Sequence, residues 1–514
     1  MAGLKRALLM GALAWTQTST SAIPQQKPLL ELRDQSPLLA DTGKQLVDSE
    51  ALQALITSDN LLVRAEKLYE IAKLSEDEYN HPTRVIGSQG HLGTLQYISE
   101  SLSKLDGYYN YSQQPFTAVT GNVFESQLVL GDTVSQSATP MALTPPTRNK
   151  EPVYGRLVLV PHLGCDASNY PAAVSGNIAF IRRGKCPFGT KSELAGKAGA
   201  VAAVVYNYED GQAPGTLGPP SPDHVATFGL SGLEANPLVE ALRQGEAIPA
   251  SAFIDARIDE ITTHNIIAQT VGGDPDNCVM LGGHSDSVAE GPGINDDGSG
   301  SLSLLEVATQ LARFRVRNCV RFAWFSAEEE GLLGSDNYVA TLPAAEKRRI
   351  RLFMDYDMMG SPNFAYQIYN ATDAANPAGS EHLRDLYAAW YRAHGLNYTL
   401  IPFDGRSDYD GFIRHGIPGG GVATGAEGLK TEAEAAAFGG PAGEAYDGCY
   451  HQLCDDVANV NLTAWETNTR LIAHSVATFA LSFDGFPERE EERADRVEAS
   501  VAPGGRYHGH RLVV

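Results

Sequence analysis

From residue 279 onward the sequence alternates short, strongly apolar runs with longer stretches of helical periodicity, and this alternation dictates the architecture. Apolar runs occupy 279–281, stopping at Gly282 and Gly283, then 320–325 and part of 350–358. The spacing predicts helices over 303–314, where Leu304, Ala308 and Leu311 share a face, over 381–394, closed by Gly395, and over 465–483. Strands that are apolar on both faces and separated by helices pair in parallel and bury both sides. The expected fold class is therefore α/β, with a mixed, largely parallel central sheet flanked by helices. In such sheets the functional groups gather at the carboxyl ends of the strands.

Earlier segments differ in character. Helical periodicity covers 61–74 and 92–105, whereas 121–255 is β-rich and broken by Gly and Pro. The chain divides on this basis into a signal peptide (1–22), a candidate removable pro-segment (23–60), one domain built from 61–120 and 256–486, an inserted module (121–255) and a charged tail (487–514). Lys5 and Arg6 precede an apolar run too short to span a bilayer, and Thr20-Ser-Ala22 offers small residues for cleavage. Six cysteines and four Asn-x-Ser/Thr acceptors, at Asn110, Asn370, Asn397 and Asn461, agree with export and glycosylation. Pairing by proximity gives Cys165 with Cys186, Cys278 with Cys319 and Cys449 with Cys454, one of many possible connectivities. The expected location is extracellular, a vacuole being the alternative, with no membrane anchor. A net charge of −23 argues against nucleic-acid partners.

The chemistry sits where the apolar runs stop. The first delivers His284-Ser-Asp286, and the loop beyond it holds Asn295-Asp-Asp-Gly298. The second runs into Ala327-Glu-Glu-Glu330-Gly331, and the third ends at Asp355-Tyr-Asp357. Much later comes Cys449-Tyr450-His451-Gln-Leu-Cys454-Asp455. Each alone has a plain explanation, since Asp-Asp-Gly makes turns and glutamate runs are usually solvated. Gathered at one sheet edge, two histidines and several carboxylates suit zinc with nitrogen and oxygen ligands. Adjacent carboxylates also repel one another unless a cation neutralises them.

Taken in order, His-x-Asp, Asn-Asp-Asp-Gly-Ser-Gly, Ala-Glu-Glu-x-Gly-Leu-x-Gly-Ser, Asp-Met-x-x-Ser-Pro and Cys-Tyr-His-x-x-Cys-Asp resemble the co-catalytic zinc aminopeptidases, the group that includes the secreted fungal leucine aminopeptidases. The resemblance runs from about 60 to 485. It implies a secreted aminopeptidase acting as a monomer on peptides with a free N-terminus, with two Zn²⁺ per chain. His284 and Asp357 would hold one zinc, Glu329 and His451 the other, and Asp296 would bridge them. Glu328 would be the general base, Asp286 would orient His284, and Arg406 and Tyr450 would lie near the substrate. It also implies a cis peptide between Asp296 and Asp297. Three consecutive glutamates leave 329/330 as an alternative pair, and Gly331-Leu-Leu-Gly-Ser335 favours 328/329. Gly176 to Phe188 and the small-residue run up to Tyr206 resemble a protease-associated (PA) domain. The alternatives are a zinc carboxypeptidase or glutaminyl cyclase of the same fold, or a non-catalytic receptor module.

Overall fold

The computed structural model describes residues 43–489 except 209, 212 and 214. The expected signal peptide, most of the expected pro-segment and all but the start of the charged tail lie outside the described residues.

In chain order the longer strands are β1 (Tyr109–Leu130), β2 (Val153–Leu159), β3 (Ile178–Arg182), β4 (Ala202–Tyr206), β5 (Thr227–Leu230), β6 (Pro249–Thr270), β7 (Asp274–His284), β8 (Asn318–Phe325), β9 (Ile350–Tyr356), β10 (Gln367–Tyr369), β11 (Thr399–Ile401) and β12 (Gly419–Ala423). The main sheet runs β11-β10-β12-β9-β7-β8-β6. Its centre, β12-β9-β7-β8, is parallel, while β10 and β6 are antiparallel to β12 and β8. Residues 279–281, 320–325 and 350–356 are all buried, because helices cover both faces. Gly298–Leu311 and Leu462–Leu481 share one core with these strands, and a second core on the sheet centres on Phe325, Phe353 and Phe412. Cys278 and Cys319 stand opposite each other on β7 and β8 and form a disulfide. The Cys165–Cys186 and Cys449–Cys454 disulfides are also present.

β1 and β6, each 22 residues long, pair antiparallel from Tyr109↔Thr270 to Leu130↔Ala250, a ribbon of about 70 Å contour. Near one end β6 joins β8, and near the other it joins β2. The two modules thus share strands instead of meeting at a linker, and the expected boundaries at 120/121 and 255/256 fall inside continuous ribbon. Within the inserted module β2, β3, β4 and β5 are parallel neighbours, with Phe188–Lys197 and Gly232–Arg243 helical. That β-rich segment thus carries two helices beside its strands.

Residues 46–60 of the expected pro-segment are built into the main domain. Leu46 bridges Arg315, Ser49–Gln53 is helical, and the helix Ser58–Ala72 takes its N-cap from the Thr57 side chain. Val47, Leu52 and Ile56 are buried in the main core. A boundary at 60 would cut them away because the apolar face of this stretch is too short to show as periodicity. Each such side chain contributes roughly 1.5–3 kcal/mol. A chain beginning at residue 61 is therefore expected to melt well below one beginning at 43, which keeps these side chains. Circular-dichroism melting of the two truncations checks this.

Candidate metal centre

Each cluster of polar residues sits where a buried strand gives way to a loop, and the loop geometry is tightly fixed. Ala327, Met358 and His451 adopt left-handed backbone conformations, with φ of 61°, 56° and 57°. Such conformations cost on the order of 1–3 kcal/mol each and persist only where the surroundings over-determine them. Here the surroundings are carboxylates. Asp297 accepts the His284 backbone N–H at 3.0 Å, the Gly300 N–H at 2.8 Å and the Met358 N–H at 3.3 Å. One side chain thereby ties the end of β7, the start of the helix Gly298–Leu311 and the turn after β9. Its capping role explains why that helix begins five residues before its apolar periodicity. The approach is close enough that a Cβ on Gly283 would lie 2.6 Å from Asp297 Oδ2. Asp455 accepts the Asn295 and Asp296 N–H groups at 2.9 and 3.0 Å, and Asp447 accepts Asn295 Nδ2 at 2.7 Å. The Asp296–Asp297 peptide is cis, as the resemblance implies.

These ties bring two triads together. Donor atoms of His284, Asp296 and Asp357 lie within 4.8 Å of one another, and so do those of Asp296, Glu329 and His451. Asp296 is common to both, with Oδ1 at 3.2 Å from His284 Nε2 and Oδ2 at 3.1 Å from His451 Nε2. Glu329 Oε2 is 3.1 Å from His451 Nε2, and Asp357 Oδ1 is 3.8 Å from His284 Nε2. Glu328 is buried, with Oε2 at 3.9 Å from His284 Nε2. His284 Nδ1 lies 3.2 Å from the Asp286 carbonyl, while the Asp286 side chain accepts the Glu328 and Glu329 N–H groups. Asp286 therefore links the first histidine to the glutamate loop. Glu330 turns away from the triads: its Oε1 accepts the Thr120 hydroxyl of β1 at 3.3 Å.

Arg406 is engaged by Glu427 at 3.0 Å and reaches the Tyr450 hydroxyl at 3.4 Å. The Tyr450 ring stacks on His451 with centroids 3.9 Å apart. Ser407 donates to Asp357 Oδ2 at 3.0 Å. The sequence reading names Asp297 only for its cis peptide and assigns no role to Asp447, Ser407 or the buried Arg84. Asp297 was legible in the Asn-Asp-Asp-Gly run; Arg84 carries no local signal at all.

The electrostatics follow from burial and from the crowding of these groups. Burial opposes charge on His284, yet Glu328, Asp296 and Asp357 outweigh it and hold the imidazole well above its ordinary range. For His451 the same contest, with Glu329 and Asp296 against burial, ends at about 10. Burial pushes Asp286 and Asp357 up to about 6, and Asp455 up to about 8. Among the described residues, His284 Nε2, Asp296 Oδ2, Glu329 Oε1 and Asp357 Oδ1 are buried without a hydrogen bond. Unsatisfied imidazole and carboxylate atoms facing one another fit a divalent cation of the zinc type, whose ligands are nitrogen and oxygen. Such an edge is that of a metal-dependent hydrolase.

The comparisons agree. The profile of peptidase family M28 matches residues 265–476, and that of the PA domain matches 153–238. Aminopeptidase Y of Saccharomyces cerevisiae is 48% identical over 480 residues, covering 91% of this chain and 87% of the relative. Leucine aminopeptidase 2 of Trichophyton equinum is 41% identical over 476 residues, covering 91% and 94%. Among solved structures, the aminopeptidase from Aneurinibacillus sp. strain AM-1 superposes with a TM-score of 0.67 at 26% identity, covering 87% of this chain and 99% of that one. The zinc aminopeptidase BSAP of Bacillus subtilis shares the fold, with a TM-score of 0.59 at 22% identity over 86% and 98%. The chain belongs to peptidase family M28 and is a zinc-dependent aminopeptidase carrying a PA domain.

The raised histidines set a pH dependence. His451, held at about 10, keeps its proton at pH 7, and that proton competes with the cation. Zinc affinity of the metal-free chain is therefore expected to rise with pH. Binding at pH 7 should release protons, so calorimetric enthalpies should scale with the ionisation enthalpy of the buffer. Zero dependence on the buffer would show that His284 and His451 are already neutral at pH 7, against the raised values.

Proposed function

We propose that the chain removes N-terminal residues from peptides with two zinc ions. His284 and Asp357 would hold one ion and Glu329 and His451 the other, with Asp296 common to both. The observation that carries this reading is the sharing of Asp296 by both triads, each oxygen facing a different imidazole. Bound zinc supplies Lewis acidity, polarising the scissile carbonyl and lowering the pKa of water.

Glu328 accepts the proton of the attacking water and passes it to the departing amine. Its carboxyl suits that work: burial first, then Glu329, Asp408 and Asp357, raise it well above the usual carboxylate range against the opposing pull of His284. Asp286 orients His284 and fixes the backbone of Glu328 and Glu329. Tyr450 covers one face of His451, with Arg406 behind it. The surplus of carboxylates attracts a substrate ammonium and repels a C-terminal carboxylate. The two guanidinium groups at the site are both engaged, Arg406 with Glu427 and Arg84 with backbone carbonyls, which disfavours the carboxypeptidase alternative.

Export and glycosylation complete the proposal. Among the described residues no helix is long and apolar enough to cross a membrane. Asn110, Asn370 and Asn397 are exposed, while Asn461 is half-buried and caps the helix Leu462–Leu481. The proposed protein is a secreted monomer with glycans at these positions.

Glu328→Gln is expected to lower kcat on the order of 10²–10⁴-fold while metal analysis still finds two zinc ions per chain. A peptide with a free amine should shorten from its N-terminus, and its N-acetylated form should resist. Shortening of the acetylated form from the C-terminus would overturn the aminopeptidase reading.

A further inference from the structure

Arg84 lies in the loop between Glu76–Tyr79 and Gln89–Ser103 and is fully buried, 0% exposed. Among the described residues its guanidinium forms no ion pair with a carboxylate. Nε donates to the Pro292 carbonyl at 2.8 Å, Nη1 to that of Ser285 and Nη2 to that of Gly293. The backbone joins in: the Arg84 N–H donates to Ser287 Oγ at 2.9 Å, and the Ser287 N–H donates to the Arg84 carbonyl at 3.3 Å. Thr83 Oγ1 donates to the Val288 carbonyl at 2.8 Å. All of these partners lie between His284 and Asp296. Gly293 fits this clamp, with φ of +60° and no room for a Cβ, which would meet Arg84 Nη2 at 3.0 Å.

Burying a guanidinium against neutral carbonyls is costly unless other charges compensate. The charges that most favour the guanidinium are those of Asp286, Asp297, Asp455 and Asp296, around the metal centre. A planar cation with a rigid fork of donors fixes several carbonyls at once, which a lysine cannot do.

We infer that Arg84 is a positioning residue for the metal centre: it clamps residues 285–293 and so holds His284 and Asp296 in the arrangement a cation needs. The inference rests on the reading of His284 and Asp296 as metal ligands. A preorganised site loses less freedom on binding, so its affinity is higher. Bare charge would act in the opposite sense, because a fixed cation beside the site repels zinc. The sign of the effect separates the two.

The test uses the full chain stripped with a chelator, then titrated with Zn²⁺ alone. Zinc affinity, hydrogen–deuterium exchange of 284–297 in the metal-free chain and melting temperature are read for wild type, Arg84→Met, Arg84→Lys and Ser287→Ala. Arg84→Met should weaken zinc binding at least about tenfold and speed exchange across 284–297. Arg84→Lys should recover part of the affinity. Ser287→Ala, which removes a single tie, should give a smaller loss in the same direction and decides the matter if Arg84→Met does not fold. Unchanged or tighter zinc binding in a folded Arg84 variant, or in Ser287→Ala when no Arg84 variant folds, would overturn the inference. A wild-type chain that binds no zinc would instead overturn the metal reading itself.

Discussion

Carboxylates crowded at one sheet edge repel each other, and the structure accepts that repulsion because each is held by something stiffer than itself. Asp296 stands between two imidazoles, and its backbone N–H is anchored by Asp455. Asp297 accepts three backbone N–H groups from three different segments. Asp286 accepts two more from the glutamate loop. The parallel strands β7, β8 and β9 deliver these segments side by side, and the helices on both faces keep the strands from sliding. Remaining negative charge needs a cation, and the family to which the chain belongs is one of zinc enzymes.

The inserted PA domain does not hang from a linker. The β1–β6 ribbon belongs to both modules, and Thr120 of that ribbon donates to Glu330 beside the candidate base. Phe116 and Ala118 of β1 pack with Ala327, the residue before Glu328. The glutamate loop is therefore roofed by the strand that leads into the PA domain.

Much of this was legible in the sequence, for physical reasons. Strands buried on both faces must be apolar throughout, so β7, β8 and β9 stood out as runs, and the polar groups at their ends could be read off directly. Long amphipathic helices such as Leu462–Leu481 carry enough periods to be seen. Other features lacked a local signature. The segment around Val47, Leu52 and Ile56 is too short for periodicity, so its burial emerges only from long-range packing. The shared ribbon was invisible because half-exposed antiparallel strands of mixed composition resemble loops. Arg84 looks like any surface arginine until the fold carries it next to residues 285–293, some 200 positions away. The Cys-Tyr-His-Gln-Leu-Cys loop sits at the opposite extreme, since its disulfide spans five positions and pairing by proximity suffices.

The central claim, that one carboxylate bridges two cations, is tested most directly by anomalous diffraction at the zinc edge from crystals of the zinc-loaded chain. Two peaks of similar height are expected, about 3.5–4 Å apart, one on each side of the Asp296 carboxylate. A single peak at saturating zinc, or two peaks with Asp296 bound to one alone, would contradict it.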